Sequence, residues 1–308
     1  MHRYRSLSCC LPFLLTACSH VIYMHHEPSV EQPPYDHGQI YRMLPEGSSQ
    51  TNLSNRPRDE FAPDVRHDGK KIVFQAGTSQ VYVMNTDGTG VTLVPNTPFN
   101  LSSPRWSKGT PTWFILFSYP ANEAQAAIWR INPDGTDLTQ ITHPGPNEHD
   151  DVAEGVSANY IVFQRHDMTT DDDDLWVKYL WDNRPEQRLT HTPNQSETLP
   201  AVSHSGQLLA YRLTSGPQSD QVRVARWASE TSITVLNTIT LQPPAGVNIG
   251  GLDFEWDDKR IFVAIPATDV AASPFTRQME IFRVSLDGSE QIRLTTNTAE
   301  DTTPSAAP

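Results

Sequence analysis

The chain has 308 residues, 25 of them proline, and a formal net charge of −13 at pH 7. This acidity argues against nucleic acid and anionic lipid headgroups as partners, because both would be repelled. The prolines leave little room for long helices, since a proline inside a helix removes a hydrogen bond. The three cysteines, Cys9, Cys10 and Cys18, all lie near the N-terminus, so no disulfide framework is available and a core must supply the stability.

The first residues have the pattern of a secretory signal. Arg3 and Arg5 form a positively charged start, and Leu7–Leu15 is an apolar run too short to cross a bilayer. The tetrapeptide LTAC, Leu15–Cys18, resembles the lipobox of bacterial lipoproteins. The resemblance implies cleavage after residue 17 and attachment of a lipid to Cys18. An ordinary signal peptide with incidental cysteines is the alternative.

The residue after Cys18 indicates which of the two membranes would carry the lipid anchor. Ser19 stands where a signal for retention in the inner membrane usually carries aspartate. The resemblance therefore implies a protein that is anchored in the outer membrane and faces the periplasm. No other segment approaches transmembrane length, so the lipid is the only expected membrane contact. Residues 18–39 are expected to be the lipidated N-terminus, followed by either a flexible tether or one strand of the folded domain.

From residue 40 onward the sequence repeats itself. The segments Ile40–Ser54, Val81–Val94, Ile128–Thr142 and Ile281–Thr295 share a bulky strand-like start and a short final strand. Two strand-like segments come before each of the later three. Ala62–Gly69 is an example of the first of these two. Four short strands per unit at a period of about 40–50 residues is typical of a β-propeller.

The two ends of the chain complement each other. The copy at residues 40–54 lacks its first strands, whereas Ala299–Pro308 matches the head of a unit. A propeller must close its ring, commonly by pairing strands from both termini. We therefore predict an all-β, six-bladed β-propeller of four-stranded antiparallel blades over residues 40–308, with a closing blade shared by the N- and C-terminal segments. His20–His25 is a candidate for its missing second strand. The five complete units are residues 59–95, 96–142, 143–190, 191–241 and 242–295.

Aspartate-glycine pairs punctuate the units. These pairs favour type I′ hairpins, in which both turn residues have positive φ. The fourth unit departs furthest from the others, because no such pair follows its segment Val222–Trp227. The pairs are Asp68-Gly69, Asp87-Gly88, Asp134-Gly135 and Asp287-Gly288.

The repeat resembles the WD-repeat-like β-propeller repeats of the TolB family, which also occur in dipeptidyl peptidases and oligogalacturonate lyases. The matching residues run from Asp59–Ser79 into Gln80–Val94 and continue in the stretches that end near Thr142, Thr190 and Thr295. The resemblance implies a binding module, because the propeller of TolB docks a peptidoglycan-associated lipoprotein. TolB itself is not lipidated and carries an N-terminal α/β domain, for which 39 residues leave no room.

Acidic residues at the heads of the units are the first candidate site. They precede the predicted innermost strands, which would bring them to one mouth of the central channel. Converging acids would raise one another's pKa values or require a cation, whereas hydrogen bonding within loops is the alternative. The candidate channel-mouth residues, which include two histidines, are Asp59, Glu60, Glu148, His149, Asp150, Asp151, Glu197, His204 and Asp301.

Two further patterns invite a metal hypothesis. Loop histidines such as His143 and His191 could join His149 near the channel. The run Asp171–Asp174 does not interleave glycine and asparagine as an EF-hand calcium loop does, so a solvated loop is expected. The sequence contains neither a G-x-S-x-G nucleophile motif nor a glycine-rich phosphate loop.

These patterns favour a monomeric, lipid-anchored propeller that binds an envelope protein or a peptidoglycan-associated partner and catalyses nothing. It would need no cofactor beyond the lipid on Cys18, although a divalent cation could bind among the acids. The alternative is a metal-assisted polysaccharide lyase or hydrolase, for which His149, Asp150, Glu197 and His204 would have to lie within ligand distance.

Overall fold

The computed structural model describes residues 19–27, 37–56, 58–77, 79–109, 112–120, 125–151, 155–214, 220–241, 249–266, 279–297 and 299–308. Within these ranges, 24 strands form six four-stranded antiparallel sheets arranged in a ring. The predicted all-β, six-bladed propeller is thereby confirmed. The described residues contain no helix with the length and apolarity needed to cross a bilayer. The predicted signal segment and Cys18 lie outside the described residues.

The strands follow the repeat of the sequence. The first three belong to the closing blade: β1 (His20–Glu27), β2 (His37–Met43) and β3 (Thr51–Asn52). Blade one has β4 (Glu60–Val65), β5 (Lys71–Ala76), β6 (Gln80–Asn85) and β7 (Thr92–Leu93), and blade two has β8 (Ser102–Trp106), β9 (Ile115–Tyr119), β10 (Ala127–Ile131) and β11 (Thr139–Gln140). Blade three has β12 (Glu148–Asp151), β13 (Tyr160–Asp167), β14 (Asp172–Tyr179) and β15 (Gln187–Arg188). Blade four has β16 (Ser196–Val202), β17 (Leu208–Thr214), β18 (Asp220–Ser229) and β19 (Ser232–Thr240), and blade five has β20 (Gly251–Phe254), β21 (Arg260–Pro266), β22 (Met279–Ser285) and β23 (Gln291–Arg293), before β24 (Glu300–Ala307) ends the chain.

The closing blade combines both ends of the chain. Its strand order is β24, β1, β2, β3, with β24 innermost. Strand β1 pairs with β24 from His20 opposite Ala307 to His26 opposite Glu300, and it pairs with β2 on its other side. Of the two alternatives for residues 19–39, the structure therefore has a strand over His20–Glu27, and this strand is the missing second strand of the blade.

Two buried aspartates tie β24 to the blades on either side. Asp64 of blade one accepts hydrogen bonds from the hydroxyl of Ser305 (3.1 Å) and from the N–H of Trp106 in blade two (2.6 Å). Asp253 of blade five accepts the N–H of Ala306 (2.9 Å). The strand that closes the ring is thus held by carboxylates from both neighbouring blades as well as by β1.

Four innermost strands share a bulge at a proline. The residue before each proline has a positive φ of 47 to 53°, and the strand pairing shifts register there. This backbone is unfavourable, because a residue before proline prefers extended angles and a left-handed residue other than glycine costs on the order of 1–3 kcal/mol. The recurring proline therefore marks a bulge in the channel wall. The four residues are Ala62, Ser103, Leu199 and Thr303.

The aspartate-glycine turns differ from the prediction. Only the glycine of each pair has positive φ, and its N–H bonds to a carbonyl three residues earlier, as from Gly88 to Asn85 (3.0 Å). The type I′ prediction was wrong, because four-residue turns of type I with a left-handed glycine connect the strands instead. Gly88 also lies against the preceding blade, where an added Cβ would be 2.3 Å from the carbonyl oxygen of Leu53. The glycine is therefore needed for blade packing as well as for the turn.

The hydrophobic core is divided among the junctions between blades. One cluster joins Val162 and Val177 of blade three to Val202, Leu209 and Tyr211 of blade four. Other clusters join the remaining neighbours in the same way. Because each blade buries its two faces only against adjacent blades, an open ring would expose apolar surface.

We predict that deletion of residues 301–308 destabilises the whole domain, because it removes β24 and opens the ring. The expected fall in melting temperature is about 10 °C or more, corresponding to roughly 5 kcal/mol at 2–4 °C per kcal/mol. Ser305→Ala, which removes only the hydroxyl between β24 and Asp64, should cost about 1–3 kcal/mol. Thermal unfolding followed by circular dichroism measures both. Equal melting temperatures for the deletion and the wild type would contradict this closure.

Candidate functional site

The two ends of the channel carry different residues. We call the end at which the innermost strands begin the acidic end, and the opposite end the histidine end. The acids were predicted to precede the innermost strands. In the structure most of them lie within those strands. His204 follows the finish of β16 and so belongs to the histidine end. The candidate residues at the acidic end are Asp59, directly before β4, Glu60 in β4, Glu148, His149, Asp150 and Asp151 in β12, Glu197 in β16, and Asp301 in β24.

Two of these acids hold the strand next to their own. Asp150 is fully buried and makes a bidentate pair with Arg165 on β13, at 2.5 and 2.8 Å. Asp301 lies 2.6 Å from Nδ1 of His25 on β1 and also accepts a hydrogen bond from Asn297 (2.7 Å). Because these partners lie within the same blade or its border, Asp150 and Asp301 stabilise the blades and are not free for a ligand.

A second set of contacts joins the acids to hydroxyl groups. A serine or threonine after each of four outer strands accepts an N–H from within the third strand of its blade, as Thr142 does from Ile128 (2.9 Å). Burial raises the pKa values of four nearby carboxyls, and the same hydroxyls partly oppose this shift. Three of these pairs join one blade to the next, whereas Thr295 and Glu280 both belong to blade five. The pairs are Ser54 with Glu60, Thr142 with Asp150, Thr190 with Glu197, and Thr295 with Glu280.

Blade three gathers histidines and aspartates at the acidic end. The rings of His149 and His166 lie 4.9 Å apart. His149 Nε2 is 3.9 Å from Asp151, and His166 Nδ1 is 3.1 Å from Asp173. The prediction of a loop over the aspartate run was wrong, because Asp172–Asp174 open β14. Within the described ranges, no three His, Cys, Asp or Glu side chains are placed to hold a metal ion.

The residues that the enzymatic alternative requires do not meet. Asp150 is engaged by Arg165, and Glu197 is buried in β16. His204 lies beyond the other end of that strand, whereas His149 stays at the acidic end beside His166 and Asp151. This arrangement offers no ligand set for metal-assisted chemistry among the residues named for it.

The acidic end also has a cavity and exposed apolar side chains. A cavity of about 400 Å³ opens between blades three and four, with Arg212, Asp173 and Gln164 among its polar walls. Phe99, on the connection from β7 to β8, is 70% exposed, and Met168, on the turn from β13 to β14, is exposed as well. Exposed apolar anchors around a polar cavity are typical of a surface that binds another molecule.

Side chains from four blades converge at the histidine end. They occupy the same place in the repeat, two residues after the innermost strand: His67, Lys108, His204 and Trp256. The ring of His204 is 4.3 Å from that of Trp256 and 5.8 Å from that of His67. Lys108 of blade two donates a hydrogen bond to the carbonyl of Val202 in blade four (3.1 Å). The contacts that His67 and Lys108 make with blade four join blades that are not neighbours, and they close this end of the channel.

Burial sets the charge state of this cluster. The side chain of His204 is 7% exposed, and burial lowers its pKa to about 4, although Asp258 opposes the shift. Burial also lowers the pKa of His67, with Lys108 adding to the effect. Asp258 accepts the N–H groups of His204 (2.7 Å) and Ser205 (2.9 Å). The two imidazoles are therefore neutral near pH 7 beside one lysine.

The chain begins its fold at the histidine end. His20 opens β1 and pairs with Ala307, the last residue of β24. Because β24 runs from the acidic end to the histidine end, β1 begins at the histidine end.

The fold matches solved structures, although the chain matches no protein-family model and no curated protein. TolB from Acinetobacter baumannii aligns with a TM-score of 0.70 at 14% identity, over 94% of this chain and 67% of that one. A TolB-type protein from Agrobacterium tumefaciens aligns at 0.63 and 14% identity, over 90% and 88%. The chain has a TolB-like propeller fold. Hydrazine synthase from Kuenenia stuttgartiensis also aligns, at 0.67 and 13% identity, over 94% of this chain and 46% of its own. At these identities the likeness shows the fold alone.

Sequence reasoning missed three members of the histidine-end cluster. His67, Lys108 and Trp256 differ in type, so no shared chemistry drew attention to them. Their common position, directly before the Asp-Gly turn or its counterpart, was the available signal. Alignment of the unit heads places all three in one column with His204.

We predict that His204 makes stability fall between about pH 6.5 and pH 4. An unfolded histidine binds a proton below about 6.5, whereas folded His204 stays neutral down to about 4, so protons favour the unfolded state in this window. The loss attributable to His204 is roughly 3 kcal/mol at most. His204→Gln should flatten the pH dependence of the free energy of unfolding in urea. The buried acids titrate in both proteins, so their contribution to the pH dependence cancels when the variant is compared with the wild type.

The control for this experiment is the exposed histidine His143, which is 71% exposed. His143→Gln should keep the wild-type pH dependence. An unchanged slope in His204→Gln would show that the buried imidazole does not couple to folding.

Proposed function

We propose that this protein is an outer-membrane lipoprotein whose TolB-like propeller faces the periplasm and binds an envelope protein or a peptidoglycan-associated partner without catalysing a reaction. The proposal rests on the lipobox-like Leu15–Cys18 and on the binding surface at the acidic end of the ring. The observation that carries it is the start of β1 at His20, at the histidine end.

The position of β1 orients the anchored protein. Two residues span at most about 7 Å, so a lipid on Cys18 leaves the propeller close to the membrane. The histidine end then faces the bilayer, and the acidic end faces the periplasm. A closed channel suits the membrane side, because Lys108 already bonds to the carbonyl of Val202 there and the rings of His204 and Trp256 pack together.

The acidic end supplies the docking surface. Phe99 and Met168 offer apolar anchors on loops of blades one to three, and the cavity beside Arg212 and Asp173 offers polar groups of both signs. Aromatic and methionine anchors surrounded by polar groups are typical of protein interfaces. Because most of the acids are engaged inside the blades, the partner would meet loops rather than a ring of free carboxylates.

Lipid anchoring is tested by Cys18→Ser expressed in a Gram-negative host. The wild type should fractionate with the outer membrane and incorporate labelled palmitate, because acyl chains add about 0.8 kcal/mol of membrane affinity per buried methylene. The variant should lose both properties. Cys10→Ser, which changes a cysteine inside the signal segment, is the matched control and should behave as the wild type. Outer-membrane fractionation of Cys18→Ser would contradict the anchor.

Partner binding is tested by purifying the lipidated protein from envelopes. The wild type should recover one stoichiometric protein, and the double variant Phe99→Ala, Met168→Ala should lose at least about 2 kcal/mol of affinity, or roughly thirtyfold. Trp181→Ala removes an exposed aromatic side chain at the histidine end and should retain the partner. Equal loss in both variants would place the interface elsewhere, and an empty wild-type purification would contradict the binding function.

A further inference from the structure

One connection between blades differs from the others in charge. The segment from β3 to β4, residues 53–59, carries Arg56 and Arg58. The connections that lead into the innermost strands of the other blades contain no lysine or arginine, although the repeat gives them the same structural task. The two arginines are therefore not needed to join one blade to the next. The other connections are residues 94–101, 141–147, 189–195, 241–250 and 294–299.

One buried side chain holds the backbone that carries both arginines. Gln39 of β2 is 5% exposed. Its Oε1 accepts the N–H of Arg56 (3.1 Å), and its Nε2 donates to the carbonyls of Arg56 (2.9 Å) and Arg58 (3.4 Å). Earlier in the connection, the side chain of Asn52 accepts the N–H of Ser54 (3.0 Å). Because this backbone is already fixed, a ligand of the arginines would have less to order on binding.

A small cavity opens at this connection, where the closing blade meets blade one. It measures about 130 Å³ and is lined by the two arginines, Glu60, Ala76 and Tyr82. We call it the arginine cavity. Arg58 is exposed, and the side chain of Arg56 is 32% exposed. Because one carboxyl group meets two guanidinium groups in this lining, the cavity keeps a net positive charge on a chain whose net charge is −13.

The carboxyl group of Glu60 does not use up the donors of Arg56. Oε1 of Glu60 lies 3.7 Å from Nη1 of Arg56, which is beyond hydrogen-bond distance. Glu60 is 1% exposed, and its Oε2 has no hydrogen-bond partner among the described residues. Burial raises the pKa of Glu60, and Ser54 and Arg56 only partly oppose the shift. The guanidinium of Arg56 therefore keeps donors for another group.

The volume of the cavity decides what kind of ligand it can take. Pockets for complete small molecules measure about 300–1,000 Å³, so a cavity of about 130 Å³ has room for one side chain. Guanidinium groups bind carboxylates through paired hydrogen bonds, and Tyr82 and Ala76 offer apolar contact for methylene groups. We infer that the arginine cavity receives a glutamate or aspartate side chain of the bound protein.

This inference rests on the proposed partner binding and adds an acidic side chain to the chemistry of the partner. Glu60 opens β4 and Ala76 ends β5, so the cavity lies at the acidic end, as Phe99 and Met168 do. Most of the surface of so acidic a protein repels a carboxylate, whereas the arginine cavity attracts one. The contact therefore fixes the orientation of the partner more than it adds affinity.

Butyrate, which carries a carboxylate on a short methylene chain as a glutamate side chain does, probes the cavity without the partner. In the purified full-length protein, about 100 mM butyrate should slow the modification of Arg58 by phenylglyoxal about threefold, as expected for a fragment that binds at roughly 50 mM. Mass spectrometry of peptides measures the rate at each arginine. Butyramide, the neutral analogue, should give no protection, and potassium chloride at the same concentration controls for ionic strength.

Arg184 is the internal control for this measurement. It lies at the histidine end and already pairs with Asp182 and Glu230. Its rate of modification should not change when butyrate is added. Equal protection of Arg58 and Arg184 would indicate that butyrate acts on arginines in general, and the inference would fail.

Variants test the cavity in the complex. Arg56→Gln combined with Arg58→Gln should weaken binding of the protein recovered from envelopes by about tenfold or more, because two charge-assisted contacts are lost. Arg184→Gln should bind as the wild type does. Arg58→Glu should bind more weakly still, and exchange of one acidic residue of the partner for arginine should restore the affinity. A merely structural role of the arginines would give no such rescue.

The two measurements separate this inference from the proposed function. If the purification recovers no protein, the binding function fails, while protection by butyrate would still support a carboxylate site in the cavity. A recovered partner without protection of Arg58 would overturn the inference alone. Protection by butyrate with undiminished binding of the double variant would assign the cavity to a free small carboxylate, and stronger protection by inorganic phosphate would assign it to a phosphate. Either result would overturn the acidic side chain as its occupant.

Discussion

The pairing of β24 with β1 is the contact on which this structure depends. Each blade buries its faces only against its neighbours, so the apolar clusters between blades are complete only when the ring is closed. Asp64 and Asp253 reach β24 from opposite sides and accept hydrogen bonds from Ser305 and Ala306. The hydrogen bonds at the channel wall thus close the ring. Closure in turn allows the apolar faces of neighbouring blades to pack against each other farther from the channel.

The need to pair buried charges explains why several of the predicted channel-mouth acids are held inside the blades. Buried carboxylates are costly unless they are paired. Asp150 is paired with Arg165 and Asp301 with His25, each within its own blade. Acids that looked like a converging site are therefore parts of the frame. What remains for recognition lies on the loops, around Phe99 and the cavity of the acidic end.

The two ends of the ring differ because all the innermost strands run in the same direction, so one end carries the loops that enter them and the other end the loops that leave them. Loops that enter the innermost strands carry the cavity and the exposed apolar residues, whereas loops that leave them carry the closed cluster around His204. The first residues of the fold leave at the closed end. In the proposed function this places the membrane on one side and the partner on the other.

The repeat, the number of blades and the sharing of the closing blade were predictable, because turn residues and alternating strands recur along the chain and need only local interactions. The sequence also showed that the fourth unit diverges from the others. It did not show that this unit ends in the long exposed strand β19. The aspartate-glycine pairs were recognised as turns, but their type depends on the blade against which Gly88 packs.

The site was much less predictable than the fold. Whether an acid such as Asp150 faces solvent or a partner is decided by which side chain stands opposite it on the next strand. Whether His204 meets Glu197 is decided by the direction of β16, which separates them to opposite ends of the channel. The meeting of His67, Lys108, His204 and Trp256 joins residues that are far apart in the chain. Local sequence patterns set each blade, whereas contacts across the channel exist only after the ring has closed and so belong to the tertiary structure alone.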